Sequence, residues 1–348
     1  MKRTGRRLHI DALRVLAMIL VLYNHTGERG FLRFDGAQGV ARGAYLALAV
    51  LDTIAVPLFF MISGALLLGR EEPLSVCLKK RVLRYAVVLV GASAAIYVYI
   101  CRTDLSVMNL TDYLRGLYDG QITTSYWFLY AYLGYLLGLP LLRRLARAMT
   151  ERDFLYITAL MGVMNALSAL QWFCFDGGFA LNGTVVPFVL ERTVYYPLAG
   201  YFLEHRLSER VTRGRTLLAL FGAGALGVAL GSLTLLRANA AVGYFSEQAY
   251  GLFVFAPALA VFAGAKALSG RVHLPPPAAA LLREAGACTF GIFLFEKVYR
   301  DVSSRVYHAL MPVIGGFAAC WLWILSAFLL GMAVTAVLRR LPGMKKLL

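Results

Sequence analysis

Residues 8–26 read LHIDALRVLAMILVLYNHT, and this stretch decides how the chain folds. Eleven residues separate Arg14 from His25. At about 100° per residue, eleven steps bring a helix back to within about 20° of its starting direction. Asp11 lies about 60° from Arg14, on the side His25 occupies, so three polar groups share one narrow stripe. The rest of the helix is mainly Val, Leu, Ile, Met and Ala. An arginine and a histidine inside a membrane span are unfavourable by roughly several kcal/mol each unless they face protein or water, so they mark function by default. The plain alternative is a pair of interfacial side chains, each snorkelling from one end of the span.

Around that helix the whole chain is apolar. A hydrophobic fraction of 59% and a mean hydropathy of +0.67 exclude an ordinary soluble domain. Ten stretches read as transmembrane segments: about 8–25, 44–68, 84–101, 126–142, 154–174, 185–203, 216–236, 249–268, 287–299 and 312–338. The connections are too short to hold a soluble domain. The expected architecture is therefore all-α, a polytopic bundle of about ten transmembrane helices forming one membrane domain over residues 1–348.

The net charge of +16 is an orientation signal rather than a nucleic-acid footprint. With the N-terminus inside, 24 of the Lys and Arg residues fall on inner segments and 9 on outer loops, in register with the hydropathy. This is the positive-inside pattern, and it predicts both termini in the cytoplasm and an attraction to anionic lipid. The opening Lys2-Arg3…Arg6-Arg7 before an apolar run looks like a signal peptide, but Asp11 and Arg14 interrupt the run and no small-residue cleavage site follows Tyr23. The segment is expected to be retained. Five cysteines show no CxxC or metal-ligand spacing, and no metal is expected. Cys101 and Cys174 both fall on the outer side, where either a disulfide or two lone thiols fits.

Several further residues invite two readings. Asp52, within the second span, is either a helix N-cap near the outer surface or a buried partner of Arg14 or His25. Lys79-Lys80-Arg81 and Arg84 follow VPLFFMISGALLLGR on the inner side. They are either topology charges or a phosphate clamp, because Arg and Lys reach phosphate oxygens through charge-assisted hydrogen bonds. Tyr126-Trp127-Phe128-Leu129-Tyr130 suits an aromatic belt. Glu191 and Arg192 are adjacent and able to pair. Gly222, Gly224, Gly227 and Gly231 make a helix-packing surface, not a nucleotide loop, since no strand precedes them. Pro275-Pro276-Pro277 stiffens an inner loop. In CTFGIFLFEKVYR, Glu296 is a carboxylate near the outer end of the ninth span, at a depth similar to His25 and Trp127, which favours a site role.

Four blocks now stand in order: LRVLAMILVLYNH, then VPLFFMISGALLL with KKRVLR, then YWFLYAYLGYLLGLPLLRR, then TFGIFLF. In order and spacing they resemble the acyltransferase family 3 of integral membrane acyltransferases, over essentially the whole chain. The resemblance implies transfer of an acyl group, usually acetyl, from cytoplasmic acyl-coenzyme A to a hydroxyl of a cell-surface carbohydrate or similar extracytoplasmic acceptor. It implies a multi-pass protein of the cytoplasmic membrane. The family's Arg and His correspond to Arg14 and His25, and its basic cluster to Lys80, Arg81 and Arg84 facing the coenzyme phosphates. Acyl-CoA is then a co-substrate, with no bound cofactor. Many members carry a His after the ninth-span block, where this chain has Glu296, so the acid–base partner of His25 is left open.

The chemistry of the stripe points the same way. Eleven residues of helix separate Arg14 from His25 by about 16 Å, so a donor anchored low can extend a thin pantetheine arm toward a hydroxyl on the outer side. Histidine, with an ordinary pKa of about 6.5, is mostly neutral at pH 7 and suited to removing the hydroxyl proton. Glu296 or Asp52 would orient the ring, while Trp127 Nε1–H and Tyr126 are candidate donors to a developing oxyanion. The competing reading is a transporter or flippase for a lipid-linked or small polar substrate, although no internal repeat or matched pair of broken helices supports it. A ligand-binding sensor without chemistry is a third.

Overall fold

The computed structural model of the protein describes residues 7–347; Lys2, Arg3 and Arg6 lie outside the described residues. Every regular element among them is helical. The chain opens with α1 (Leu8–Asn24), α2 (Gly39–Asp52), α3 (Ala55–Leu67) and a short α4 (Leu74–Cys77). A π-helical turn at Leu78–Val82 leads into α5 (Leu83–Ile100), followed by α6 (Leu110–Asp119), α7 (Trp127–Ala148) and α8 (Glu151–Cys174). Next come α9 (Arg192–Tyr201), a second π turn at Phe202–Arg206, α10 (Ser208–Val211), α11 (Gly214–Val242) and α12 (Phe255–Ser269). The chain closes with α13 (Pro276–Leu294), α14 (Glu296–Leu338) and α15 (Met344–Leu347). With α2 and α3 taken together, seven helices are long and apolar enough to cross a membrane.

Helix α1 is the centre of the bundle. It packs on α2, α3, α12, α13 and α14 and buries Leu13, Ala17, Met18, Leu22 and Tyr23. Its start is anchored by Glu204 of the second π turn, which receives Arg7 at 2.6 Å, His9 at 3.1 Å and Lys266 of α12 at 2.9 Å. Helices α3 and α9 touch backbone to backbone. A Cβ on Gly64 would stand 1.9 Å from the Pro197 carbonyl oxygen, and one on Gly200 would stand 1.9 Å from that of Met61. Helices α8 and α11 lie at the periphery and turn residues such as Leu155, Val163, Leu226 and Leu233 outward.

Several expected spans are broken, each for a local reason. The second is interrupted at Thr53–Ile54, where α2 ends and α3 begins. Pro57 has no N–H to give the Thr53 carbonyl, and its ring crowds that position. The sixth begins only at Arg192, after two 3₁₀ turns, and the eighth only at Phe255. The ninth ends at Leu294, because the chain leaves helical geometry at Phe295 (φ −122°, ψ 22°). The region 300–311, expected between the ninth and tenth spans, lies instead in the first arm of α14. That helix folds back on itself at Gly315, whose φ of 80° and ψ of 159° suit only glycine, so Tyr307 comes to lie against Trp323 and Tyr299 against Gly331.

Other expectations fare variously. Gly224, Gly227 and Gly231 do pack closely on the segment leading into α12 and on α12 itself, but nothing approaches Gly222. Pro276 and Pro277 start α13 rather than stiffening a loop, since a missing N–H is harmless in a first turn. All five cysteines are free, with Cys101 buried and Cys174 exposed, so they form no disulfide. Arg192 does not pair with Glu191; its guanidinium lies 5.0 Å from the centre of the Trp127 ring.

Candidate active site

Helix α1 carries Asp11 and Arg14, and His25 is the residue that caps it. Its backbone N–H still donates to Val21 at 3.1 Å, and its φ of −85° and ψ of 9° turn the chain out of the helix. The imidazole Nδ1 lies 3.3 Å from Glu296 Oε1. That separation is long for a hydrogen bond, a looseness common at catalytic pairs before substrate arrives. Glu296 is 2% exposed and opens α14, where the helix dipole favours a negative charge. Its other oxygen accepts from Arg300 Nε at 2.5 Å, and Arg300 Nη1 donates to the His25 carbonyl at 2.6 Å. Trp323 in the returning arm of α14 donates to the Arg300 carbonyl at 2.9 Å. His25, Glu296 and Arg300 thus form a closed ring that leaves the histidine Nε2 outside it.

The break at Phe295 makes this ring possible. It frees the Leu294 carbonyl, which receives the Tyr126 hydroxyl at 2.5 Å, and it lets Glu296 start a new helix beside the end of α1. Tyr126 is therefore occupied. The Trp127 side chain is 43% exposed and lies beneath Arg192, so its indole does not reach His25; the next residue, Phe128, faces inward instead.

Asp52 is neither an N-cap nor a partner of Arg14 or His25. It ends α2, and its Oδ1 accepts from Asn24 Nδ2 at 3.0 Å and from the Tyr250 hydroxyl. The early end of α2 at Thr53 places it beside Asn24, so it fixes the residue preceding His25 and not the imidazole.

Toward the other end of α1, Arg14 Nη1 meets Asp11 Oδ1 at 3.2 Å. Asp11 is fully buried against Gly286 of α13, where a Cβ would stand 2.8 Å from the aspartate Cβ. Arg14 also lines a cavity of about 390 Å³. Lys80, Arg81 and Arg84, from the first π turn and the start of α5, stand in the same wall. The rest is aromatic and apolar: Phe59 of α3, Tyr85 of α5, Phe128 and Tyr132 of α7, and Phe290 and Phe293 of α13. Phe293 lies three residues before Glu296 in the sequence, while His25 and Glu296 are not among the described residues of the lining.

The basic residues are not equivalent. Arg81 is gripped by Glu72, with Nε to Oε1 at 2.6 Å and Nη2 to Oε2 at 2.8 Å, and buried Arg143 joins the same carboxylate at 3.1 Å. The hydrogen bond from Arg81, with Arg143 beside it, holds Glu72 down at about 2. Among the described residues, Lys80 and Arg84 have no carboxylate partner and are exposed.

Sequence reasoning missed Arg300, Glu72 and the aromatic lining. Arg300 was signalled by its i,i+4 spacing from Glu296. Glu72 lay beside the basic cluster without any periodicity to single it out.

The described residues thus hold a partly exposed histidine on a buried carboxylate, and an aromatic cavity lined by basic side chains, within an all-helical membrane bundle. The chain belongs to the acyltransferase 3 family: a model of that family, described as an acyltransferase domain, matches residues 7–340. No curated protein and no solved structure matches it significantly.

Proposed function

We propose that the protein transfers an acyl group, in the simplest case acetyl, from cytoplasmic acyl-CoA to a hydroxyl of an extracytoplasmic acceptor, a cell-surface carbohydrate. The orientation rests on the charge asymmetry of the loops, with both termini and the Lys80–Arg84 mouth inside and ten spans in the cytoplasmic membrane. The observation that carries the reading is that Arg14, Lys80 and Arg84 line one cavity whose aromatic wall includes Phe293, three residues before Glu296 in the sequence.

In this reading the donor phosphates pair with Lys80 and Arg84. The pantetheine arm lies along Phe290, Phe128 and Phe293, and the thioester carbonyl meets the acceptor beside His25. With Nδ1–H directed at Glu296, the imidazole Nε2 carries the lone pair. Nε2 takes the acceptor hydroxyl proton as that oxygen attacks the carbonyl carbon. Glu296, held ionised beside Arg300, stabilises the imidazolium. The tetrahedral intermediate collapses by breaking the C–S bond, and the departing sulfur receives the proton from Nε2. The products are the ester and the free thiol. General-base assistance of this kind is worth typically ~10²–10⁴-fold.

The test is transfer from radiolabelled acetyl-CoA to a surface glycan, using purified protein and His25→Ala and Arg14→Lys variants. Both variants are expected to fold and to lose transfer, Arg14→Lys because a point charge does not reproduce a planar fork of donors. Transfer near the wild-type rate by the His25→Ala protein would overturn the mechanism. Mass spectrometry of surface glycans from a deletion strain, seeking a lost acetyl mass, identifies the acceptor.

A further inference from the structure

Arg14 stands in the walls of two cavities. Besides the aromatic one, a second of about 550 Å³ opens between α1, α3 and α9 with its following π turn. Its polar lining is Arg7, Asp11, Arg14, Arg70, Tyr201 and His205, and it shares Arg14 and Leu66 with the first cavity. The mechanism above uses none of these residues except Arg14.

We propose that this second cavity seats the 3′-phosphoadenosine end of the donor, with Arg70 on the 3′-phosphate, a placement that rests on the acyl-CoA reading. Such a donor is a wide nucleotide, a diphosphate and a narrow arm in series. The two cavities, which share Arg14 and Leu66 in their walls, offer a polar chamber beside an aromatic one, matching that order. The diphosphate then passes Arg14 between the two chambers, within reach of the Lys80–Arg84 mouth of the first.

The charges of the second chamber favour an anion. Arg7 is engaged by Glu204 at 2.6 Å and Arg14 by Asp11 at 3.2 Å. Asp11 is the one acid among the described residues of the wall, and Arg14 offsets it. Arg70 is exposed, and among the described residues its guanidinium has no ion pair or hydrogen bond. That leaves it as the cation available to an incoming phosphate, with a charge-assisted bond among the strongest open to it. For the base, Tyr201 and His205 present two rings with centres 5.3 Å apart. The imidazole is fixed by the contact of its Nε2 with the Ala65 carbonyl at 2.8 Å. Gly69 keeps the space beside these rings open, since a Cβ there would stand 3.5 Å from the Tyr201 ring and 3.8 Å from His205 Nε2.

The experiment compares acetyl-CoA with 3′-dephospho-acetyl-CoA as donors to the full-length protein in lipid nanodiscs, wild type and Arg70→Gln. The wild type is expected to have a KM roughly tenfold lower for acetyl-CoA than for the dephospho donor, and Arg70→Gln to erase that preference. An undiminished preference in Arg70→Gln, or no preference in the wild type, would overturn the assignment. Calorimetric titration with adenosine 3′,5′-bisphosphate reads the chamber without turnover. Wild-type binding is expected to weaken roughly tenfold in Arg70→Gln. Failure of the wild type to bind would overturn the chamber assignment even with acetyl transfer intact. Binding without any transfer from acetyl-CoA would overturn the proposed reaction and leave the chamber standing.

Discussion

Near His25 each charged group is held by another, with Glu296 gripped by Arg300 and Arg300 in turn closing on the His25 carbonyl, whereas near Arg14 the side chains of Lys80, Arg84 and Arg70 have no carboxylate partner among the described residues. The contrast fits the roles proposed for the two regions. A proton-transferring group must be oriented before its substrate arrives, because a misplaced base forfeits the gain of proximity. A binding group for a multiply charged donor must keep its hydrogen bonds for that donor, and must also release it. Arg81 marks the boundary between the two styles: it stands in the aromatic cavity yet is spent on Glu72.

The largest expected effect is at the pre-organised end. His25→Ala should lower kcat at least roughly 10³-fold with no loss of thermal stability, read by release of the coenzyme thiol. Glu296→Gln keeps the shape and removes the charge, and should lower kcat roughly 10²-fold. Arg300→Lys should have a smaller effect of about tenfold, since one ammonium does not serve both the carboxylate and the His25 carbonyl. Equal effects of Glu296→Gln and a distant control such as Glu71→Gln would break the comparison.

At the open end the effect should appear in KM. A Lys80→Gln/Arg84→Gln double variant should raise the donor KM about tenfold with little change in kcat, the pattern of lost ground-state binding. Arg81→Gln sharpens the boundary. It should reduce thermal stability, because it takes from Glu72 its closest partner, and should raise KM less than the double variant does. A larger KM effect from Arg81 would mean that Glu72 releases it to the donor.

The smallest effect is on pH dependence. Glu72 is held at about 2 against an ordinary 4.5, chiefly by Arg81. A depressed carboxylate contributes stability that is complete above the unfolded value and lost as pH falls toward the folded one. This contribution is therefore flat from pH 8 to about 5 and declines from about 4.5 toward 2. Scanning wild type against Glu72→Gln should show their melting temperatures converging only in that acid window.

How much of this was legible in the sequence depended on whether a residue's neighbours are set by its own helix. Asp11 and Arg14 meet because helical geometry fixes the angle between them, and His25 caps the same helix. Lys80 and Arg84 reach one cavity for the same reason. Glu296 stood out as a carboxylate in an apolar run. Its contact with His25 depended on the break at Phe295, which no proline or glycine announces. Asp52 went astray because the stop at Thr53 moved it beside Asn24. Trp127 and Phe128 are adjacent and so point about 100° apart, and only packing decides which one faces the cavity. The second chamber joins α1, α3 and α9, and no spacing along one chain encodes a juxtaposition of three helices.

The two glycines that let α3 and α9 meet behave as a dovetail joint. Each helix sits in the notch left by the missing side chain of the other, at Gly64 beneath Pro197 and at Gly200 beneath Met61. Helices joined in this way move as one plank. Phe59, Ile62, Ser63 and Leu66 on α3 form one wall of the aromatic cavity, so that wall is stiff. Another wall is α5, which follows the π turn that carries Lys80 and Arg81. In mechanical terms the aromatic cavity has one fixed jaw in α3, while its charges are divided between the α5 side, with Lys80, Arg81 and Arg84, and α1, with Arg14.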